Sequence, residues 1–112
     1  MPSRDWQNRI RDVIDAIAEI RAFTNEITFD VFQDDPKTIK AVLYNLAIIG
    51  EAVGRIPSEI ETAHPEIPWL DMRGMRNIVI HEYFQVNLAI IWQTIQEDLV
   101  PLEVSLRKLV DV

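Results

Sequence analysis

Two side chains in the second half of the chain have the types and the spacing that acid–base chemistry on an anion requires. Arg76 and His81 are separated by four residues, within the stretch 72–84. A histidine exchanges protons near neutral pH, whereas an arginine keeps its charge and binds phosphate oxygens through two parallel hydrogen bonds. The pair therefore suits proton transfer combined with stabilisation of negative charge.

The two residues lie in different surroundings on the helix predicted to carry them, the motif helix. Because a helix advances about 100° per residue, Arg73, Asn77 and His81, at steps of four, form one polar stripe. Arg76 lies on another face. That face is otherwise apolar and holds Met72, Met75 and Val79. A guanidinium is costly to bury alone, so we expect Arg76 to reach an interface or to line a polar cleft.

The same residues also fit a purely structural interpretation. A histidine near the C-terminal end of a helix can simply interact with the helix dipole. An arginine on a mixed face can bury its aliphatic stem and leave its charge in solvent. Spacing alone therefore does not decide between chemistry and structure for Arg76 and His81.

The length and composition predict a single globular domain, residues 1–112. Hydrophobic residues make up 48% of the chain and charged residues 26%, the balance of an ordinary globular protein with a modest core. The absence of cysteine excludes disulfides and thiolate metal sites, and no apolar run approaches the roughly 20 residues that span a bilayer. The first residues lack the apolar core of a signal peptide. We therefore expect a cytoplasmic protein that does not enter membranes.

The net charge of −7 argues against broad electrostatic capture of nucleic acid, because Lys and Arg contacts to phosphate supply most non-specific affinity. An RNA substrate would need a local cationic cleft. Arg73 and Arg76 are the candidates for it, and their number doubles if two chains meet. The acidic excess also fits attraction to a basic partner protein, or plain solubility.

A first helix is predicted from Ser3, which can cap it, to about Phe23. Its apolar residues recur at steps of three and four: Trp6, Ile10, Val13, Ile14, Ile17 and Ile20. We expect Trp6 to anchor the core and give it no functional role. Residues 24–35 mix polar and aromatic side chains and predict a loop or a short helix.

A second helix is predicted to begin at Pro36, capped by Asp34 or Asp35. Gly50 lies inside this helix, where it costs up to about 1 kcal/mol relative to alanine, so another segment should approach closely there. The neighbouring Glu51 either hydrogen-bonds the motif helix or lies in solvent.

The link to the motif helix contains several helix signals. Ser58 and Glu61 have the pattern of a capping box and predict a short helix after Pro57. His64 precedes a proline in a polar loop, and we expect it to be exposed and without a role. Pro68 fits the first turn of the motif helix, where its missing N–H does no harm.

The remaining elements complete an all-helical pattern. Trp69 and Leu70 are expected to anchor the start of the motif helix in the core, and Asn87 to cap a last helix. Pro101 predicts a kink, or a new helix that reaches about Val110. With no strand pattern, internal repeat or linker, the predicted fold is an all-α, up-and-down bundle of about four main helices.

The motif helix and its exit resemble the signature of a known superfamily. Arg76, Asn77, His81 and Tyr83 match the pattern arginine, polar residue, three further residues, histidine, any residue, tyrosine. This is similar to the HEPN superfamily and, within it, to the HepT-like ribonuclease toxins. The likeness extends along most of the chain and includes the stretch Gly50-Glu51-Ala52.

The resemblance implies more than the residues show by themselves. It implies an RNA substrate and a homodimer whose composite active site lies at the subunit junction. It also implies a partner, a minimal nucleotidyltransferase that acts as the antitoxin. Such a partner silences the toxin by transferring AMP to the motif tyrosine, here Tyr83.

Several other mechanisms lack their residues in this sequence. It contains no His-x-x-x-His or carboxylate-rich metal cluster, no glycine-rich phosphate loop and no acyl-transfer motif. What remains is metal-independent cleavage of RNA without a cofactor, in which the 2′-hydroxyl is the nucleophile. In this chemistry His81 acts as acid or base, and Arg76 stabilises the charge that develops at phosphorus.

A single histidine cannot easily serve as base on one side of the phosphate and as acid on the other. A symmetric dimer solves this by bringing two copies of His81 and Arg76 to one cleft. Asn77, one turn before His81, orients its ring or binds phosphate, with Arg73 and Glu51 in supporting positions.

A second class of function stays open. A catalytically inactive helical module could bind a nucleotide, or the nucleotidyltransferase, through the same cleft. The acidic net charge favours this alternative, whereas the intact set of Arg76, Asn77, His81 and Tyr83 favours the enzyme.

Overall fold

The computed structural model describes the backbone of residues 5–81 and 87–110, and the side chains of the same residues except 78–81. In chain order the helices are α1 (Asp5–Thr24), α2 (Phe29–Gln33), α3 (Pro36–Val53), α4 (Ser58–Ala63), α5 (Trp69–His81), α6 (Leu88–Gln93) and α7 (Leu99–Val110). A π-helical turn, Thr94–Asp98, joins α6 to α7. The described ranges contain no strand, so the all-α prediction is confirmed, with α1, α3, α5 and the continuous α6–α7 as the main helices.

The core forms around α3, because this helix packs against both α1 and α5, while α7 packs against α1. The apolar positions spaced by three and four are the ones that become buried. The fully buried large side chains are Ile10, Val13, Ile17, Ile20, Phe32, Val42, Ile49, Val53, Met72, Leu99 and Leu106. Within the described ranges, no helix has the length and apolar character needed to cross a membrane.

Of the two caps predicted for α3, Asp34 and Asp35, the structure uses Asp35. Its Oδ2 accepts a hydrogen bond from the Thr38 hydroxyl at 2.6 Å, and its Oδ1 accepts one from the Thr38 N–H at 3.2 Å. These two hydrogen bonds, chiefly the one from the hydroxyl, hold the pKa of Asp35 below its usual value. Pro36 follows at the start of the helix, where no N–H is needed.

The predicted capping box at the start of α4 is wrong, although the short helix exists. The cap position is taken by Pro57, which has an extended backbone and no side-chain hydrogen bond to offer. Ser58 is therefore already inside the helix, where its hydroxyl lies 3.5 Å from a carboxylate oxygen of Glu59. Glu61, the other half of the predicted box, instead forms an ion pair with Arg73 on α5.

The entry into α5 confirms one predicted anchor and corrects another. Trp69 is buried, and its indole N–H donates to the carbonyl of His64 at 2.9 Å, whereas Leu70 is 79% exposed. Leu70 lies about 100° from Trp69 around the helix axis, and the buried face of α5 does not extend that far at this end of the helix. Pro68 directly precedes the helix, and its carbonyl accepts the first helical hydrogen bond, from Met72. His64, predicted to be exposed, is half-buried.

The C-terminal helix follows the predicted course with one difference. Asn87 caps α6 by accepting hydrogen bonds from the N–H groups of Ala89 and Ile90. Pro101 lies inside α7 and does not begin a new helix. Because it has no N–H to bond the carbonyl four residues earlier, the irregularity falls before it, in the π-helical turn. At the other end of the chain, Ser3, the predicted cap of α1, lies outside the described residues.

Candidate functional site

The position of Arg76 is set by a close crossing of α3 and α5. A Cβ atom added to Gly50 would lie 2.7 Å from both the Cβ and the backbone nitrogen of Arg76, and 3.1 Å from the carbonyl oxygen of Arg73. Real Cβ contacts are essentially never shorter than 3.0 Å. Only glycine therefore allows the two backbones to come this near, and the close approach predicted at Gly50 is confirmed.

Glu51, the residue after this glycine, binds the arginine of the motif. Its Oε1 lies 2.7 Å from Nε of Arg76, so of the two alternatives left open by the sequence, Glu51 contacts this helix. The two side chains are 53% and 48% exposed. Exposed ion pairs contribute only about 0–1 kcal/mol to stability. Glu51 therefore affects the orientation of the guanidinium more than the stability of the fold.

Arg76 lines a polar cleft of about 440 Å³, here called the arginine cleft. The charged side chains that line it are Arg55, Arg73, Arg76 and Glu51. The backbone at Gly50, Gly54 and Gly74 and the side chains of Leu70 and Asn77 complete its walls. Three positive charges thus face one negative charge, in a chain whose net charge is −7. The arrangement is a local cationic site of the kind that phosphate binding requires.

Arg73 and Asn77 bring the described part of the polar stripe to this cleft. Arg73 is half-buried and held by its ion pair with Glu61, which ties α5 to α4. Asn77 is exposed and lines the cleft one turn further along α5. Two of the three stripe residues are therefore beside Arg76, although they lie on a different face of the helix.

The remaining two motif residues are only partly covered by the structure. His81 is the last described residue of α5, five positions after Arg76, so its backbone lies about 7.5 Å further along the helix axis. Its side chain, and the whole of Tyr83, lie outside the described residues. The relation of the His81 ring and the Tyr83 hydroxyl to the arginine cleft stays a prediction.

Arg55 is a cleft residue that reasoning from the sequence missed. It lies just beyond the end of α3, and its Nη2 is 4.0 Å from the second carboxylate oxygen of Glu51. Glu51 therefore stands between Arg55 and Arg76. The spacing of four residues from Glu51 to Arg55 is the signal that could have found it, since such pairs are neighbours on a helix. Across the described part of the chain, no group of three or more His, Asp or Glu residues could hold a metal ion.

The sequence of this chain matches a known protein family and several known proteins. The family described as ribonuclease HepT-like matches residues 13–109. The protein named "Probable ribonuclease HepT" of Thermococcus cleftensis is 42% identical over 106 residues, which cover 95% of this chain and 96% of that protein. The protein named "Putative RNase MJ0127" of Methanocaldococcus jannaschii is 40% identical over 95 residues, 85% of this chain and 78% of that protein. The chain belongs to the HepT-like ribonuclease family. No solved structure matches it significantly.

Proposed function

We propose that this protein is a metal-independent endoribonuclease that acts as the toxin of a toxin–antitoxin pair. One observation carries the proposal: a member of the HepT-like ribonuclease family has the complete set of Arg76, Asn77, His81 and Tyr83, and α5 holds the arginine of this set in the arginine cleft. The ribonuclease names of its relatives support RNA as the substrate.

The reaction needs no group beyond the chain and the RNA. One His81 removes the proton from a 2′-hydroxyl, whose oxygen attacks the neighbouring phosphorus. The His81 of a second copy gives a proton to the departing 5′-oxygen, which leaves a 2′,3′-cyclic phosphate and a 5′-hydroxyl. Arg76 stabilises the negative charge on the phosphoryl oxygens as the bond to the leaving group breaks. This division of labour requires a homodimer with both motifs at one cleft.

Regulation of the same site acts through Tyr83. A nucleotidyltransferase antitoxin transfers AMP from ATP to the tyrosine hydroxyl and releases pyrophosphate. The attached AMP adds bulk and about one negative charge per phosphodiester, two residues from His81, where an RNA phosphate must bind. The modified protein is therefore unable to cleave RNA.

The catalytic part is tested by RNA degradation in the presence of a chelator, with wild type and the His81→Ala and Arg76→Ala variants. Both variants should lose cleavage while keeping the helical circular dichroism of the wild type. Arg11→Ala is the matched control, because Arg11 is an exposed arginine on α1 that does not line the arginine cleft. Unchanged cleavage by His81→Ala contradicts the mechanism. Cleavage that requires added metal would show that the mechanism is metal-dependent instead.

The regulatory part is tested by mass spectrometry of the protein co-expressed with its nucleotidyltransferase. AMP should map to Tyr83, and Tyr83→Phe should stay active in the presence of the partner. Tyr44 is 69% exposed and serves as an internal control for indiscriminate transfer. AMP on Tyr44, or no increase in mass, contradicts this part of the proposal.

A second candidate function is favoured by the ion pairs at the cleft. Arg76 is engaged by Glu51, and Arg73 by Glu61, so part of the positive charge is already neutralised within the chain. An inactive module that binds a nucleotide or the nucleotidyltransferase would tolerate this better than an RNA-cleaving enzyme. Inactivity of the unmodified wild type on every RNA, with binding to the transferase retained, would establish this alternative.

A further inference from the structure

We propose that a second groove, next to the arginine cleft, binds a nucleobase of single-stranded RNA beside the cleaved bond. This groove, here called the Trp6 groove, lies between the start of α1, the link from α3 to α4 and the first turn of α4. Its volume is about 530 Å³, within the range of pockets that hold small ligands. The inference rests on the proposed ribonuclease function and adds the path that the RNA strand takes.

The apolar part of the Trp6 groove suits the flat face of a base. Trp6, Pro57 and Ile60 line it. Trp6 is only partly buried, packs against the core and also lines the groove. Proteins that bind single-stranded nucleic acid use such anchored aromatic rings as stacking platforms. Trp6 can therefore stack against a base in addition to the core role expected from the sequence.

The charged residues of the Trp6 groove favour a base over a phosphate. Arg9 and Arg55 face Asp5 and Glu59 there, so the charges balance, and Arg9 already pairs with Asp12 at 3.2 Å. A balanced groove gives a phosphate little electrostatic attraction. Carboxylates, however, accept hydrogen bonds from the exocyclic amino groups of bases. The arginine cleft is lined by three arginines and one glutamate, so it favours a phosphate over a base.

Arg55 is shared by the two grooves. It lines both the arginine cleft and the Trp6 groove, and its side chain is 67% exposed. The 4.0 Å separation from Glu51 is long for an ion pair, so its guanidinium can turn toward a phosphate at small cost. A strand whose scissile phosphate lies beside Arg76 can therefore contact Arg55 with its next phosphate and place the adjoining base on Trp6.

The test compares cleavage of a single-stranded RNA oligonucleotide by wild type and by two variants of Trp6, with chelator present. Trp6→Phe keeps an aromatic face, whereas Trp6→Leu keeps apolar bulk without one. Trp6→Leu should raise KM by about tenfold, the size expected for loss of one stacked base, and Trp6→Phe should restore most of the loss. Thermal unfolding of each variant separates a loss of stacking from a loss of fold.

Arg55→Ala keeps the inference testable if Trp6→Leu does not fold, because Arg55 is exposed. It should raise KM and reduce the slope of log KM against log salt concentration by about 1, as expected for one lost phosphate contact. Arg11→Ala, which removes an exposed arginine lining neither groove, should change neither quantity.

The outcomes separate this inference from the proposed function. Wild-type cleavage with equal KM for Trp6→Phe and Trp6→Leu overturns the base subsite and leaves the ribonuclease intact. If Trp6→Leu changes the oligomeric state as well as cleavage, the groove is a contact between two copies of the chain. That result also overturns the base subsite. If the wild type does not cleave, anisotropy of the labelled oligonucleotide decides: binding that depends on an aromatic residue at position 6 supports the subsite, and no binding overturns both proposals.

Discussion

One face of α5 is packed against the rest of the protein, and the other is exposed. On the inner face, Met72 is fully buried, and the backbone at Arg76 lies directly against Gly50. On the outer face, Leu70 is exposed, and a Cβ atom added to Gly74 would meet no described atom within 4 Å outside its chain neighbours and the backbone of its own helix. The inner face is held by packing, whereas the outer face is free to contact a ligand or a second molecule. The arginine cleft lies where the two faces meet.

The two glycines make the contrast sharpest. Gly50 and Gly74 both occupy helix interiors, where glycine costs about 0.5–1 kcal/mol relative to alanine. At Gly50 the cost is offset by the close packing of α3 on α5. At Gly74 the described part of the chain offers no packing reason for a residue without a side chain. The four predictions below test this difference, in order of decreasing effect.

The largest effect is expected for Met72→Ala. Removing a fully buried side chain leaves a cavity between α5 and the core, which should lower the free energy of unfolding by about 2–5 kcal/mol. Leu70→Ala is the matched control from the exposed face and should change it by no more than about 0.5 kcal/mol. Urea denaturation of the three proteins measures both effects. Equal losses would show that Leu70 is covered in the protein in solution.

Gly50→Ala should come next. The added methyl group would collide with the backbone of α5 at Arg76, which cannot move without separating the helices. We expect a loss of about 1–3 kcal/mol, although alanine is the better helix former. RNA cleavage should fall as well, because Arg76 shifts with α5. Stabilisation by this substitution would contradict the tight crossing.

Gly74→Ala should have the opposite sign. With open space around the new methyl group, the better helix propensity should raise the free energy of unfolding by about 0.5–1 kcal/mol. The same denaturation experiment tests it, with Gly50→Ala as the counterpart. A loss of stability that depends on protein concentration would show instead that a second copy covers this face, as the proposed dimer allows.

The smallest effect on stability is expected for Glu51→Gln. The ion pair with Arg76 is half-exposed, so its loss should cost less than about 1 kcal/mol. Function should respond more clearly. RNA binding should tighten, because the cleft gains one unit of positive charge, while kcat should fall, because Arg76 loses its orienting partner. Weaker RNA binding, or an unchanged kcat, would contradict this separation of roles.

Much of the fold could be read from single helices. The cap at Asp35, the start at Pro36 and the apolar spacing of α1 and α3 each depend on neighbours within about one turn, and the structure agrees with them. The predicted cap at Ser58 also depends on neighbours within one turn, but it is wrong, because Pro57 is the N-cap residue of α4. The prediction for Leu70 failed for another reason, since only packing decides which of two adjacent apolar residues faces inward.

For the site, the sequence by itself determined which side chains with suitable chemistry α5 carries and how they are spaced along it. It also indicated that Gly50 marks a close contact, because glycine inside a helix costs stability; Gly74 shows that a glycine inside a helix does not always mark one. The tertiary structure alone decided which helix makes that contact, that Glu51 binds Arg76, and that Arg55 joins the same cleft. These depend on how α3 and α5 cross, at Gly50 and Arg76, which are 26 positions apart in the sequence. Helix periodicity is a local property, whereas a crossing depends on the packing of both surfaces at once.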